Sequence, residues 1–214
     1  MNGTLDTCSL CKGCTPLKVH ADQGFFYPSK RSSERKIMLV GEAPGQTEYT
    51  DGLPFRGRAG LLLSDALTAA YAALGIQNPA VARSRMVVTN AVKCWPHKVT
   101  GHTKIKATKM TEEYYKPRFK SLTPTNEMIE NCRGWLWNDI MHYKPNLIVA
   151  LGKTAEKSLR LLRVEQADII DEMGIEFAHV WHPAYVLRWG GKNSMMYWKW
   201  VRKLIEALKG TKNG

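Results

Sequence analysis

A three-layer α/β sandwich around a four-stranded parallel sheet is the fold this sequence predicts, and two observations carry the prediction. Four short apolar runs, at 36–40, 85–92, 146–151 and 176–181, read as strands. Helical patterns separate and follow them at 60–74, 125–143, 153–162 and 194–208. Strands alternating with helices imply parallel pairing, with helices on both faces. The first strand, Ile37-Met38-Leu39-Val40, stops at the Gly/Pro turn Gly41-Glu42-Ala43-Pro44-Gly45. An apolar strand ending this way, with carboxylates just beyond it, is how an open α/β sheet builds a pocket at its carboxyl edge. The helix at 125–143 opens on Pro124-Thr125-Asn126-Glu127, a helix-start composition, although Met128 stands where a capping box would place Glu or Gln. No internal repeat or low-complexity tract interrupts the pattern.

Only the segment 97–123 breaks the alternation. It is polar and basic, carrying Lys98, Lys104, Lys106, Lys109, Lys116, Arg118 and Lys120 around Tyr114-Tyr115 and Phe119. The expectation is a long excursion without regular structure, and such loops in compact domains are functional or disordered. It is either a solvated surface segment or a nucleic-acid arm, in which lysines meet phosphates and rings stack on unpaired bases.

With 214 residues, 24.2 kDa and 44% hydrophobic residues, the chain supports one well-buried core, so one domain spanning 1–214 is expected. Thirty-one Lys and Arg against 19 Asp and Glu give a formal charge of +12 and a pI near 9.5. A protein this basic calls for a polyanionic partner, first among them nucleic acid. No run of about 18 apolar residues could cross a bilayer, and residues 1–10 lack the pattern of a signal peptide. A cytoplasmic monomer without an obligate protein partner is the resulting expectation.

Of the five cysteines, Cys8, Cys11 and Cys14 form two overlapping C-x-x-C spacings, and Cys94 and Cys132 follow far downstream. An odd set of this kind argues against a disulfide framework and for a metal site. Thiolates three residues apart in a tight turn converge without backbone strain. Cys11 and Cys14, completed by Cys94 and Cys132, would form an all-thiolate site suited to zinc or to an iron-sulfur cluster. Cys8 is the spare, or a replacement for Cys11 or Cys14.

Five separated motifs occur together: Gly41-Glu42-Ala43-Pro44-Gly45-x-x-Glu48; Asp51-Gly52-Leu53-Pro54-Phe55-x-Gly57-x-Ala59-Gly60; Thr89-Asn90-x-Val92-Lys93-Cys94; Leu151-Gly152; and His182-Pro183-Ala184-Tyr185. In this order they resemble the type 4, iron-sulfur branch of the uracil-DNA glycosylase superfamily. The resemblance implies a glycosylase fold and a structural four-iron four-sulfur cluster held by Cys11, Cys14, Cys94 and Cys132. It also implies an enzyme that flips a pyrimidine, uracil first, out of DNA and hydrolyses its N-glycosidic bond.

The resemblance further assigns residues. Phe55 matches the ring placed against the flipped base, and Asn90 matches the base reader, whose amide offers both donor and acceptor to a pyrimidine edge. Gly41 and Ala43 join them in base binding. His182 matches the donor to the departing base, where a hydrogen bond that strengthens as negative charge grows lowers the barrier. Glu42, and after it Glu48, are the carboxylates that would orient water. Tyr185, Leu187 and Arg188 resemble the loop that wedges the duplex, with Leu187 as the inserted side chain. Lys104 and Lys106 of the basic insert are expected to bind DNA.

Two residues and the insert depart from the family pattern. Tyr49 stands where an acidic residue commonly follows, Trp95 replaces the usual Arg after the third cysteine, and the insert lengthens the interval from Cys94 to Cys132. These changes admit an alternative substrate, a hydroxymethylated or glucosylated cytosine in viral DNA, whose excision would serve antiviral defence. His97 and His102 in the insert raise a further alternative, a covalent trap for uracil-containing DNA. A metal-stabilised DNA-binding module without chemistry is the non-enzymatic reading.

Overall fold

The computed structural model describes residues 5–11, 15, 17–22, 36–76, 78–79, 86–106 and 113–209, with the backbone alone described for 104–106 and 113–115. Four parallel strands form the central sheet: β1 (Ile37–Gly41), β2 (Met86–Asn90), β5 (Leu147–Leu151) and β6 (Glu176–Val180), in the order β2-β1-β5-β6. β1, β2 and β5 are buried throughout. This is the near-continuous apolar character of strands covered on both faces.

The period-two alternation of each strand splits the core into two layers. Ile37, Leu39, Met86, Val88, Leu147 and Val149 pack against α2 (Arg58–Ala73) and α7 (Met195–Lys209). Met38, Val40, Val87, Ile148 and Ala150 pack against α3 (Asn126–Tyr143) and α4 (Lys153–Glu165) on the opposite face. The expected three-layer α/β sandwich is therefore present. Thr125 caps α3, accepting from the Met128 N–H at 3.2 Å, as the composition of that start suggested. Three short helices were not foreseen: α1 (Gln46–Asp51), α5 (Ala167–Glu172) and α6 (Pro183–Arg188).

β1 connects to β2 over α2, whereas β5 connects to β6 over α4 on the other face. The switch point of the sheet thus falls between β1 and β5, where open α/β sheets place ligands. Past the strand ends, Ala91 N–H donates to Gly41 O (2.9 Å) and Val92 N–H to Glu42 O (3.0 Å). These bonds keep the loops after β1 and β2 side by side.

The basic insert is not the excursion without regular structure that its composition suggested. It forms an antiparallel hairpin of β3 (His97–Lys106) and β4 (Glu113–Ser121), with a bulge between Val99 and Gly101. The alternation that marks a strand is present on β4, but its polar positions are lysines and an arginine, so charge hid the period. Pro117 lies within the ladder opposite His102, which a two-stranded ribbon with free edges tolerates.

Candidate active site

The segments following β1, β2 and β6, together with residues at the start of α2 and the end of β4, line a cavity of about 170 Å³. An apolar cavity of about 150 Å³ holds a benzene ring, so there is room for one pyrimidine. Glu42, Ala43, Glu48, Phe55, Asn90 and His182 all line it. Gly41, expected to bind the base, does not itself line the cavity but lies behind Phe55 and Asn90. A Cβ there would lie 2.3 Å from Phe55 Cζ and 2.5 Å from Asn90 Oδ1, which shows that ring and amide press on the same backbone atom. Phe55 itself is buried with φ of 55°, an unusual conformation for an aromatic residue. Gly60 makes it possible: a Cβ at residue 60 would stand 1.7 Å from the Phe55 carbonyl oxygen.

His182 caps α6, its Nδ1 accepting the Ala184 N–H at 3.2 Å. That bond fixes the tautomer, because a nitrogen that accepts has no proton and the ring proton must sit on Nε2. Burial, reinforced by the Arg188 guanidinium, lowers the pKa of His182 to about 4. At neutral pH the cavity therefore contains an uncharged imidazole with one N–H to donate. Its ring centroid lies 6.3 Å from that of Phe55. Gly152 leaves the space it occupies, since a Cβ there would meet His182 Cβ at 2.8 Å.

The two carboxylates are held differently. Glu42 accepts a 2.6 Å hydrogen bond from Thr154 Oγ1, which spans the switch point from the end of β1 to the first turn of α4. Glu48 accepts from Gly45 N–H (3.1 Å) with one oxygen and from Gly57 N–H (2.8 Å) with the other. Glu48 thus braces the two glycine turns that shape the wall, and among the described residues Glu42 has a hydrogen-bond partner on one oxygen only. Thr154 was missed in the sequence, although a hydroxyl two residues past a strand-ending glycine is a signal for it.

Cys11, Cys94 and Cys132 are buried in one cluster with Val92, Met128 and Ile129. Asn131 Nδ2 donates to Cys11 Sγ at 3.5 Å, and the Lys93 backbone N–H donates to Cys132. Burial first, with Cys94 and Cys11 nearby, pushes the Cys132 thiol up to about 12. Three sulfurs gathered from distant segments, each out of water and two accepting N–H groups, suit a thiolate-ligated group. Among the described residues, no three metal-binding side chains stand where they could hold a single ion. Cys14 lies outside the described residues, and Cys8 is half-buried and apart from the cluster.

Other predicted positions fall away from the cavity. Tyr185, Leu187 and Arg188 lie on α6, of which only Ala184 lines the wall beyond its cap. Leu187 is half-buried against the core, and Arg188 lies 5.9 Å over the Tyr185 ring. Lys104 and Lys106 belong to β3, with side chains outside the description. His97, considered for covalent capture, is stacked on Trp95 and bonded to its carbonyl oxygen at 2.9 Å. Ser121 and Leu122, which sequence reasoning passed over, line the cavity from the end of β4.

The model of the uracil DNA glycosylase superfamily matches residues 28–205. The chain belongs to that superfamily, and with it to the DNA glycosylases. Similar proteins are the type-4 uracil-DNA glycosylase of Pyrobaculum aerophilum, 29% identical over 84% of this chain and 82% of that protein, and that of Thermotoga maritima, 28% identical over 83% and 79%. The type-4 enzyme of Archaeoglobus fulgidus is 27% identical over 81% of this chain and 78% of its own length. The matched stretch, residues 28–205, includes every residue that lines the cavity.

Proposed function

We propose that the chain is a monofunctional glycosylase that takes uracil extruded from DNA into this cavity and hydrolyses its N-glycosidic bond, leaving an abasic site. The observation that carries the reading is the convergence of Phe55, Asn90 and His182 on one cavity of single-base size. Extrusion costs a few kcal/mol, offset by stacking on Phe55 and by the Asn90 amide on the pyrimidine edge. As the bond breaks, charge grows on the base O2. The neutral His182 Nε2–H is the donor for it, and such a donor contributes about 2.7–4 kcal/mol to the barrier. Glu42, positioned by Thr154, orients the attacking water and faces the developing positive charge of the sugar. Glu48 acts through the loops it braces.

Cys11, Cys14, Cys94 and Cys132 would hold a four-iron four-sulfur cluster in this reading, which the burial of Cys11, Cys94 and Cys132 in one cluster supports. When bound, the cluster supplies a structural cross-link. The chain acts as one cytoplasmic domain and as a monomer, and no helix among the described residues is long and apolar enough to cross a membrane.

The test is incubation with duplexes bearing uracil, hydroxymethylcytosine or glucosylated hydroxymethylcytosine, followed by alkali. Strand breaks are expected at uracil. They should be lost in His182→Ala and Glu42→Ala while DNA binding persists. Breaks confined to the modified cytosines would replace the substrate, and a band surviving denaturing electrophoresis would replace the mechanism by covalent capture.

A further inference from the structure

The places where this chain departs from the family pattern meet in space. Tyr49 and Trp95 have ring centroids 5.4 Å apart, and Trp95 stacks on His97 at 4.1 Å. Phe119 of β4 stands edge-on to both, at 5.3 and 5.1 Å. Trp95 Nε1–H donates to Ser121 Oγ at 2.9 Å, and Leu122 N–H donates to Pro96 O at 2.7 Å. The root of the hairpin is thereby fixed to the body at the cavity mouth, where Ser121 and Leu122 line the wall.

From this root the cations run in register. Lys116, Arg118 and Lys120 alternate along β4 with Pro117, Phe119 and Ser121, so they share the face opposite the aromatic root, about 6.8 Å apart. Lys98 pairs directly across from Lys120. Like charges opposite each other destabilise a ladder, and a two-stranded hairpin has little stability to lose. All four side chains are exposed, and among the described residues none has a carboxylate partner. A row of unpaired cations that costs the free protein stability is explained by an anion that lies along it. Lys120 adjoins Ser121, which lines the base cavity, and this proximity points to the DNA backbone as that anion.

We propose that the β3–β4 hairpin is a phosphate clamp, in which Lys98, Lys116, Arg118 and Lys120 grip the DNA backbone beside the extruded nucleotide while Ser121 and Leu122 border its base. This rests on the glycosylase reading above and assigns the contact to a segment outside the family motifs. The contact is with phosphates, so it is independent of base sequence.

The experiment replaces all four residues in the full chain (Lys98→Gln, Lys116→Gln, Arg118→Gln, Lys120→Gln). Binding to a duplex of ordinary bases is followed by fluorescence anisotropy against salt. Each phosphate contact contributes about 0.9 to the log–log slope, so loss of all four should make the slope shallower by about 3.6. A control pair on α7, Lys199→Gln with Arg202→Gln, should leave it unchanged. K120Q alone, which relieves the repulsion with Lys98, should unfold no earlier than the natural chain and lower the slope by about 0.9. An unaltered slope in both hairpin variants, or an equal fall in the control, overturns the clamp. A natural chain that binds DNA with a steep slope yet releases no base overturns the glycosylase reading and leaves the clamp standing.

Discussion

His182→Asn separates two properties that the structure unites in one ring. Asn is a good helix N-cap, so its side-chain oxygen can accept the Ala184 N–H that Nδ1 now accepts, while the titrating group disappears. In the folded chain the His182 pKa is lowered to about 4, chiefly by burial; unfolded, it returns to the ordinary 6.5. Because the folded state resists protonation, its contribution to stability is complete above about pH 6.5 and is lost as pH falls toward 4. The full interval corresponds to about 3 kcal/mol, trimmed to about 2 because the half-buried ring keeps part of its hydration. For a chain of this size that is a difference of about 4–8 °C in Tm. Urea unfolding of both proteins at several pH values between about 7.5 and 4.5 measures it. The natural chain should lose about 2 kcal/mol more than the variant on acidification. Single-turnover base release by the natural chain should show no titration near 6.5, and the variant should be slower by about 10²–10³-fold at every pH. Parallel stability curves, or an acid limb centred near 6.5, would refute the neutral imidazole and the donor role built on it.

Asp139→Ala strands the Lys93 ammonium, which is fully buried and 2.5 Å from that carboxylate, and should cost about 3–5 kcal/mol in urea unfolding; Lys93→Met with Asp139→Leu should recover most of the loss. Gly41→Ala drives a methyl group into the Phe55 ring and the Asn90 amide, so base release should fall sharply and stability by about 1–3 kcal/mol. Glu42→Gln should slow base release with little change in unfolding, whereas Glu48→Ala, which orphans the Gly45 and Gly57 N–H groups, should also lower stability by about 1–3 kcal/mol. Cys132→Ser should abolish visible iron-sulfur absorbance and bound iron in the purified protein; a colourless natural protein containing zinc would remove the cluster from the account.

The parts of the fold that were legible are those where one physical signal dominated. Ile37 to Val40 read as a strand, and the Gly/Pro turn with its carboxylates just beyond it marked the carboxyl-edge cavity that Glu42, Ala43, Pro44, Gly45 and Glu48 line. The hairpin was illegible because net charge overwhelmed its alternation, and its register depends on Phe119 meeting Trp95 and His97, contacts that no local pattern encodes. α6 is a six-residue helix, too short for a period to show. Motif position assigned Glu42 and Glu48 similar tasks, and only their hydrogen-bond partners, a threonine hydroxyl in one case and two backbone amides in the other, tell them apart.

The Thr89-Asn90-x-Val92-Lys93-Cys94 segment shows how a distant sulfur cluster can matter to a site that uses no redox chemistry. Asn90 enters the cavity and Cys94 enters the cysteine cluster. Between them Lys93 turns back to donate to Thr89 Oγ1 and to Asp139, both at 2.5 Å, and Thr89 Oγ1 donates to the same carboxylate at 2.8 Å. Asp139 lies two turns along α3 from Cys132, whose sulfur accepts the Lys93 backbone N–H. Lys93 O in turn receives the Val19 N–H, which stitches the amino-terminal segment to the same loop. Asn90 is therefore held at one remove by a buried ion pair and at two by the cysteines. An amide that must discriminate donor from acceptor on a pyrimidine edge tolerates little rotation, and rigidity of that kind comes from the surrounding lattice, here one that the carboxylate of Asp139 and the thiols complete together.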